Sequence, residues 1–278
     1  EGKQDQIEMK SASWLCISVL LGVGLLNGAV NERRLSHWAW QPLQLIKDDN
    51  TQSVDAFIQD KLKKSGLQLS PTADRRTLIR RLTHDLHGLP PTPEEVDAFL
   101  ADKNPKAYDK LVDSLLGHPR FGERMAQHWL DLAHYADTHG FERDKRRPNA
   151  WRYRDYVIKS LNEDKPYLRF LKEQIAGDVI WPEDADANVA TGFLAAGPWD
   201  FVGQVETKSP VLRRSARALD LDDMATQVFT STQAVTLNCA RCHDHKLDPI
   251  SQEEYFRVSA VFAGNKRDDR TISEAGLK

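Results

Sequence analysis

Apolar residues recur at helical spacing along most of the chain. The first two runs are Val54, Phe57, Ile58 and Leu62, then Leu78, Ile79, Leu82 and Leu86. Intervals of three and four residues place such side chains on one face of an α-helix. Further helices are predicted from residue 93 and over 108–116, 119–136, 151–161, 167–176 and 219–237, with a last one from residue 251. Strand-like alternation is absent from the sequence, so we predict a mainly α, multi-helical fold.

Two helix starts carry a specific signal. Thr92 precedes Pro93 and stands three residues before Glu95, and Ser251 stands three residues before Glu254. This spacing is typical of a capping box, in which the two side chains bond to each other's backbone N–H groups. We expect the last helix to bury Tyr255, Phe256, Val258 and Phe262.

Changes in pattern divide the chain into four parts. Residues 1–30 contain an apolar run at 14–26 after Met9-Lys10, which is typical of a signal peptide preceded by upstream residues. Residues 31–52 are predicted to be a linker. Residues 53–176 are predicted to form an N-terminal helical part. Residues 177–278, which begin with a looser stretch without periodicity at 181–188, are predicted to form a second part that carries the sequence Cys-x-x-Cys-His. We therefore expect a periplasmic or secreted protein that touches a membrane only through an uncleaved leader.

The composition excludes some partners. The 278 residues carry a net charge of −3, with 40% hydrophobic and 28% charged residues. Nucleic-acid binding is not expected, because it requires a clustered basic surplus.

The cysteines indicate a chemistry. Cys16 lies within the predicted leader, which leaves Cys239 and Cys242 in the sequence Cys-Ala-Arg-Cys-His that ends at His243. The pattern C-x-x-C-H is the attachment signature of c-type haem. The two thiols would form thioether bonds to the porphyrin, and His243 would be the proximal iron ligand. We expect one covalent haem and a role in electron transfer to a redox partner protein or to further domains of a longer protein.

Other residues are candidates for supporting roles. No methionine follows His243. A distal iron ligand is therefore expected upstream, from Met224 or His128. Four residues of the motif loop are expected to contact the haem propionates or the proximal imidazole: Arg241, His245, Lys246 and Asp248.

Two alternatives remain open at this point. A haem-free module would use Cys239, Cys242 and His243 or His245 as a structural zinc clip. An envelope hydrolase or carbohydrate-processing module would use the carboxylates of Asp131, Asp137, Glu142 and Asp144. The sequence leaves open whether the protein is an enzyme.

Several long stretches resemble one known family. They include PTADRRTLIRRLTHDLHGLPPTPEEVDAFL at 71–100, HWLDLAHYADTHGFERD at 128–144, RPNAWRYRDYVIKSLNEDKPY at 147–167, QIAGD at 174–178 and CARCHDHKLDPISQEEYF at 239–256. In these stretches the chain resembles the planctomycete cytochrome-c-like domain family of unknown function, over about residues 54–264. The resemblance implies a secreted protein with a haem role, and it implies no particular reaction.

Overall fold

The computed structural model describes residues 35–43 and 53–271, and the predicted mainly α fold is confirmed within them. The helices are α1 (Val54–Lys64), α2 (Arg75–His87), α3 (Pro93–Ala101), α4 (Ala107–Leu116), α5 (Arg120–Leu132), α6 (Ala150–Asn162), α7 (Tyr167–Ile180), α8 (Ala185–Ala190), α9 (Gly192–Ala195), α10 (Pro210–Gln233) and α11 (Gln252–Val261). Three shorter helical turns occur at Trp38–Trp40, Val202–Glu206 and Leu237–Arg241. The leader, Cys16 and most of the predicted linker lie outside the described residues.

The two predicted capping boxes are confirmed. Thr92 Oγ1 accepts a hydrogen bond from the Glu95 N–H at 3.2 Å, and the Thr92 N–H donates to Glu95 Oε2 at 2.7 Å. Ser251 and Glu254 form the same reciprocal pair at the start of α11. Each box satisfies backbone donors that the first helical turn leaves without an intrahelical partner.

A helix that periodicity did not indicate begins within the stretch at 181–188 and ends at Ala190. The side chain of Asp184 accepts a hydrogen bond from the Ala187 N–H and starts α8, in which Ala185, Ala187 and Ala190 are buried. A Cβ on Gly177 would lie 2.0 Å from the Ala187 carbonyl oxygen. Because α7 and α8 approach so closely, small residues line the contact, and the larger apolar residues that reveal periodicity are missing.

The prediction for the buried side of α11 is partly wrong. Tyr255 and Phe262 are buried, but Phe256 is 57% exposed. Adjacent helical residues point about 100° apart, so burial of Tyr255 turns Phe256 away from the same core.

The described residues divide into two compact units. The first unit comprises residues 42–43, 53–140, 144–197 and 269–271, and therefore contains α1 to α9. The second unit comprises residues 35–41, 141–143 and 198–268, with α10 and α11. The predicted parts 53–176 and 177–278 stay a prediction. Among the described residues, no helix is long and apolar enough to cross a membrane.

Aromatic residues joined by hydrogen bonds form part of the interior of the first unit. The Trp129 Nε1–H donates to the Tyr153 hydroxyl at 2.9 Å, and this hydroxyl donates to Gln174 Oε1 at 2.7 Å. Phe170 meets the Trp129 ring edge-on, and Phe193 stacks on it. Burial raises the pKa of Tyr153, so its hydroxyl stays a donor. These contacts connect α5, α6, α7 and α9.

A buried carboxylate lies beside this aromatic cluster. Glu173 on α7 is 1% exposed and accepts hydrogen bonds from the Tyr156 hydroxyl at 2.6 Å, Lys165 Nζ at 2.7 Å and Arg169 Nε at 2.5 Å. The Arg169 guanidinium also lies over the Trp181 ring and bonds to Asp184 at 2.9 Å. A buried charge requires such partners, since an unpaired carboxylate in the interior is costly.

The second unit is organised around α10. Its buried Asp220 forms ion pairs with Arg217 on the same helix and with Arg267, whose Nη2 lies 2.8 Å from Asp220 Oδ1. Arg217 Nη2 donates to the Asn265 carbonyl at 2.5 Å. These contacts hold the segment after α11 against α10, while the turn at Leu237–Arg241 packs against both helices.

Candidate functional site

The cysteine motif begins on the 3-10 helix Leu237–Arg241, and Cys242 is the residue directly after that helix. The side chains of Leu237 and Ala240 are buried, whereas Cys239 and Cys242 are exposed free thiols. Residues three apart eclipse each other in a 3-10 helix. The spacing therefore places one pair on the inner side of the turn and both thiols on the outer side.

The chain reaches this turn through a left-handed residue. Ala234 has φ 56° and ends α10, and the buried Val235 follows it. The Thr230 hydroxyl donates to the Val235 carbonyl at 3.2 Å. This geometry explains why the helix predicted over 219–237 ends at Gln233.

His243 has one ring nitrogen suited to bind a metal. The side chain is exposed, and Nδ1 lies 2.7 Å from the Asp244 carbonyl oxygen. A carbonyl can only accept, so Nδ1 carries the proton and donates. In the neutral ring Nε2 then keeps its lone pair. A hydrogen bond of this kind commonly orients a metal-binding histidine.

His245, a second candidate of the same loop, is buried rather than exposed. Its Nδ1 accepts hydrogen bonds from the Leu247 N–H at 3.2 Å and the Asp248 N–H at 2.7 Å. Its Nε2 therefore carries the proton, and it lies 3.0 Å from Thr236 Oγ1. Because both ring nitrogens have partners, the buried His245 side chain connects Thr236 to the backbone of residues 247 and 248.

The remaining residues of the loop have different environments. Arg241 Nη1 donates to Asp222 Oδ2 at 3.1 Å, and Asp248 Oδ2 lies 3.5 Å from His245 Nε2. Lys246 is exposed. The predicted contacts of these side chains with haem propionates stay predictions.

The two candidate distal ligands belong to different units. Met224 lies on α10 in the second unit and is 1% exposed. His128 lies on α5 in the first unit and is exposed. The role of each as an iron ligand stays a prediction.

The acidic residues proposed for a hydrolase take part in local hydrogen bonds. Asp137 Oδ1 accepts from the Tyr135 hydroxyl at 2.7 Å, and Asp144 Oδ1 accepts from the Gly140 N–H at 2.8 Å. Hydrogen bonds from Thr138 and Gly140 lower the pKa of Asp144. In the part of the chain that the structure describes, no three His, Cys, Asp or Glu side chains are grouped to hold a metal ion.

Sequence reasoning missed the residues that hold the motif from neighbouring helices. The Tyr255 hydroxyl donates to Asp222 Oδ1 at 2.5 Å, and Gln252 Nε2 donates to the Arg241 carbonyl at 3.0 Å. Asp222 lies 19 residues before Arg241, on a helix that periodicity predicted. The sequence carried no local signal for this contact, because the two residues meet only when the helices pack.

One family model matches the part of the chain that contains the helices and the cysteine motif. The family model described as PSCyt2, a protein of unknown function (DUF1549), matches residues 53–267. The chain belongs to the PSCyt2 family. The matched range includes α1 to α11 and the cysteine motif, and the family's description assigns no reaction. No curated protein and no solved structure matches the chain significantly.

Proposed function

We propose that this PSCyt2 chain is a cytochrome-c-like protein that binds one haem c through Cys239 and Cys242 and mediates electron transfer. The observation that supports it is the pair of exposed free thiols, one on the 3-10 helix and one directly after it, followed by an imidazole whose Nε2 keeps its lone pair. The planctomycete-type character of the sequence is part of this proposal.

The geometry of the turn suits covalent attachment. Each thiol would add across a vinyl group, with the sulfur bonding to one vinyl carbon and the proton going to the other. Because Cys239 and Cys242 are exposed, two such bonds would leave the buried Leu237 and Ala240 in place. The inner residues would continue to fix the turn while the outer residues carry the porphyrin.

His243 would be the proximal ligand. Donation from Nδ1 to the Asp244 carbonyl holds the ring and leaves the lone pair of Nε2 for the iron. A bound haem would supply the one-electron iron couple that side chains lack. Either Met224 or His128 is the proposed distal ligand. The proposed surroundings of the haem are Arg241, His245, Lys246 and Asp248.

The proposal extends to location and partners. Export to the periplasm or beyond would supply the compartment, and a redox partner protein or further domains of a longer protein would exchange the electron. Both parts rest on the predicted leader and on the proposed cofactor.

The two alternatives have less support. A zinc clip that uses His245 would have to break the hydrogen bonds at the ring nitrogen that binds the metal. In a hydrolase built on the acidic residues, Oδ1 of Asp137 and Oδ1 of Asp144 would already be engaged with local donors.

An absorption spectrum tests the proposal. The exported protein, expressed with an active c-type haem attachment machinery, should show a Soret band that survives acid-acetone extraction. The matched control is Cys239→Ser with Cys242→Ser, which should remove the band. A colourless protein carrying one zinc ion would refute the proposal in favour of the clip.

The same spectrum separates the distal ligands. Loss of the true ligand should convert the iron from low spin to high spin, because an axial position becomes open to water. We therefore compare Met224→Leu with His128→Gln. A change in only one of the two variants identifies the ligand, and no change in either refutes both.

A further inference from the structure

One carboxylate joins the cysteine motif to both neighbouring helices. Arg241 lies between the two cysteines, and its Nη1 donates to Asp222 Oδ2 on α10 at 3.1 Å. The other oxygen, Asp222 Oδ1, accepts from the Tyr255 hydroxyl on α11 at 2.5 Å. Asp222 thus connects three segments that are distant in sequence.

The first turn of α11 holds the motif at two further points. The Gln252 side chain donates to the Arg241 carbonyl at 3.0 Å, and the Gln252 N–H donates to Asp244 Oδ1 at 2.9 Å. The residues on both sides of Cys242-His243 are therefore bound to one helical residue. The capping box of Ser251 and Glu254 fixes the position of that residue.

The environment strengthens these contacts. The side chain of Asp222 is 20% exposed and that of Arg241 is 35% exposed, so solvent screens the pair only in part. Tyr255 is 2% exposed. Burial, together with the hydrogen bond to Asp222, raises the pKa of Tyr255 to about 12, so its hydroxyl remains a donor at neutral pH.

We propose that Asp222 is a positioning residue for haem attachment, which holds the cysteine turn rigid through Arg241 before haem is present. This inference rests on the proposed function. Attachment needs two thiols and one imidazole in a fixed relation, and a turn that is already ordered avoids the entropic cost of ordering it on binding. Before haem is present, the Arg241 guanidinium thus has a partner within the protein.

Backbone amide order parameters of the haem-free chain test the positioning directly. Residues 239–244 should have values of about 0.85, as in a rigid backbone, and Asp222→Asn should reduce them to below about 0.6. Arg241→Gln breaks the same pair from the motif side and should have the same effect. Tyr255→Phe, which keeps the buried ring, should cause a smaller reduction.

A surface variant on α11 provides the control. Glu253 forms an exposed ion pair with Arg257 on α11, so Glu253→Gln should leave residues 239–244 as rigid as in the parent. The proposal is overturned if these amides are flexible in the parent, or if they are equally rigid in Asp222→Asn and Arg241→Gln.

Haem loading, measured separately, distinguishes this inference from the proposed function. With the attachment machinery active, the fraction of chains that carry covalent haem should fall in Asp222→Asn and stay at the parent level in Glu253→Gln. Equal loading in the parent and Asp222→Asn would overturn the role in attachment. A parent chain that is rigid at the motif but never carries haem would refute the proposed function instead.

Discussion

A buried carboxylate of the first unit and the cysteine motif of the second unit have opposite settings. In the first unit the carboxylate of Glu173 is 1% exposed and surrounded by three donors. In the second unit the thiols of Cys239 and Cys242 and the imidazole of His243 face outward. Buried polar groups with a full set of partners contribute to the stability of one conformation, whereas exposed reactive groups contribute little to it. The comparison separates residues that maintain the fold from residues that are available for a ligand.

The largest effect should follow from removing the buried carboxylate. Glu173→Ala leaves Lys165 and Arg169 without their shared partner and should lower the free energy of unfolding by about 3–5 kcal/mol. Denaturant unfolding followed by far-ultraviolet circular dichroism measures it. A loss below about 1 kcal/mol would show that the network is not what stabilises the first unit.

A smaller loss should follow from removing one hydroxyl of the aromatic cluster. Tyr153→Phe deprives the Trp129 Nε1–H of its 2.9 Å partner and Gln174 Oε1 of its 2.7 Å donor. The expected cost is about 1–3 kcal/mol, because buried polar groups lose a partner. The same denaturation experiment measures it, with Tyr167→Phe on the exposed face of α7 as the control. Equal stability of the two variants would show that the Tyr153 hydroxyl does not stabilise the first unit.

The ionisation of Glu173 should also make the stability of the protein depend on pH. Burial acts to raise the pKa of Glu173, but hydrogen bonds from Lys165, Tyr156 and Arg169 outweigh it and lower the pKa below the ordinary value of 4.5. At a pH between the lowered pKa of the folded chain and the ordinary pKa of the unfolded chain, the unfolded chain binds more protons. Stability from this group is therefore present above pH 4.5 and is lost as the pH falls through the lowered value.

Glu173→Gln is the control for that prediction. Its thermal midpoint should fall less steeply on acidification below pH 4.5 than that of the parent, because no proton is taken up at this position. Parallel curves for the two proteins would show that other carboxylates cause the acid sensitivity.

The smallest effect on stability is expected at the motif. Cys239→Ser with Cys242→Ser changes two exposed side chains and should shift the free energy of unfolding of the haem-free chain by less than about 0.5 kcal/mol. Denaturant unfolding beside the parent measures the difference. A loss comparable to that of Tyr153→Phe would mean that the thiols also serve the fold, and the comparison between the two units would fail.

Local sequence signals were sufficient for much of the fold. The capping residues Thr92 and Ser251 mark the starts of α3 and α11, because each bonds within one helical turn. Phe256 was predicted wrongly because its apolar character suggested burial, while the hydrogen bond of Tyr255 to Asp222 determines which side of α11 faces inward.

The support around the site could not be predicted in the same way. Asp222 is 19 residues from Arg241 and 33 residues from Tyr255 along the chain. Contacts at such separations depend on how α10 and α11 pack, and periodicity describes each helix alone. The motif was recognised because its five residues are contiguous, whereas its support is assembled by the fold.

Intact-mass measurement of the denatured protein tests the central claim most directly. The chain, expressed with an active c-type haem attachment machinery, is predicted to carry the added mass of one haem that denaturation does not release, and Cys239→Ser with Cys242→Ser is predicted to lack it. A parent protein with the bare mass of its polypeptide under the same conditions would contradict the account.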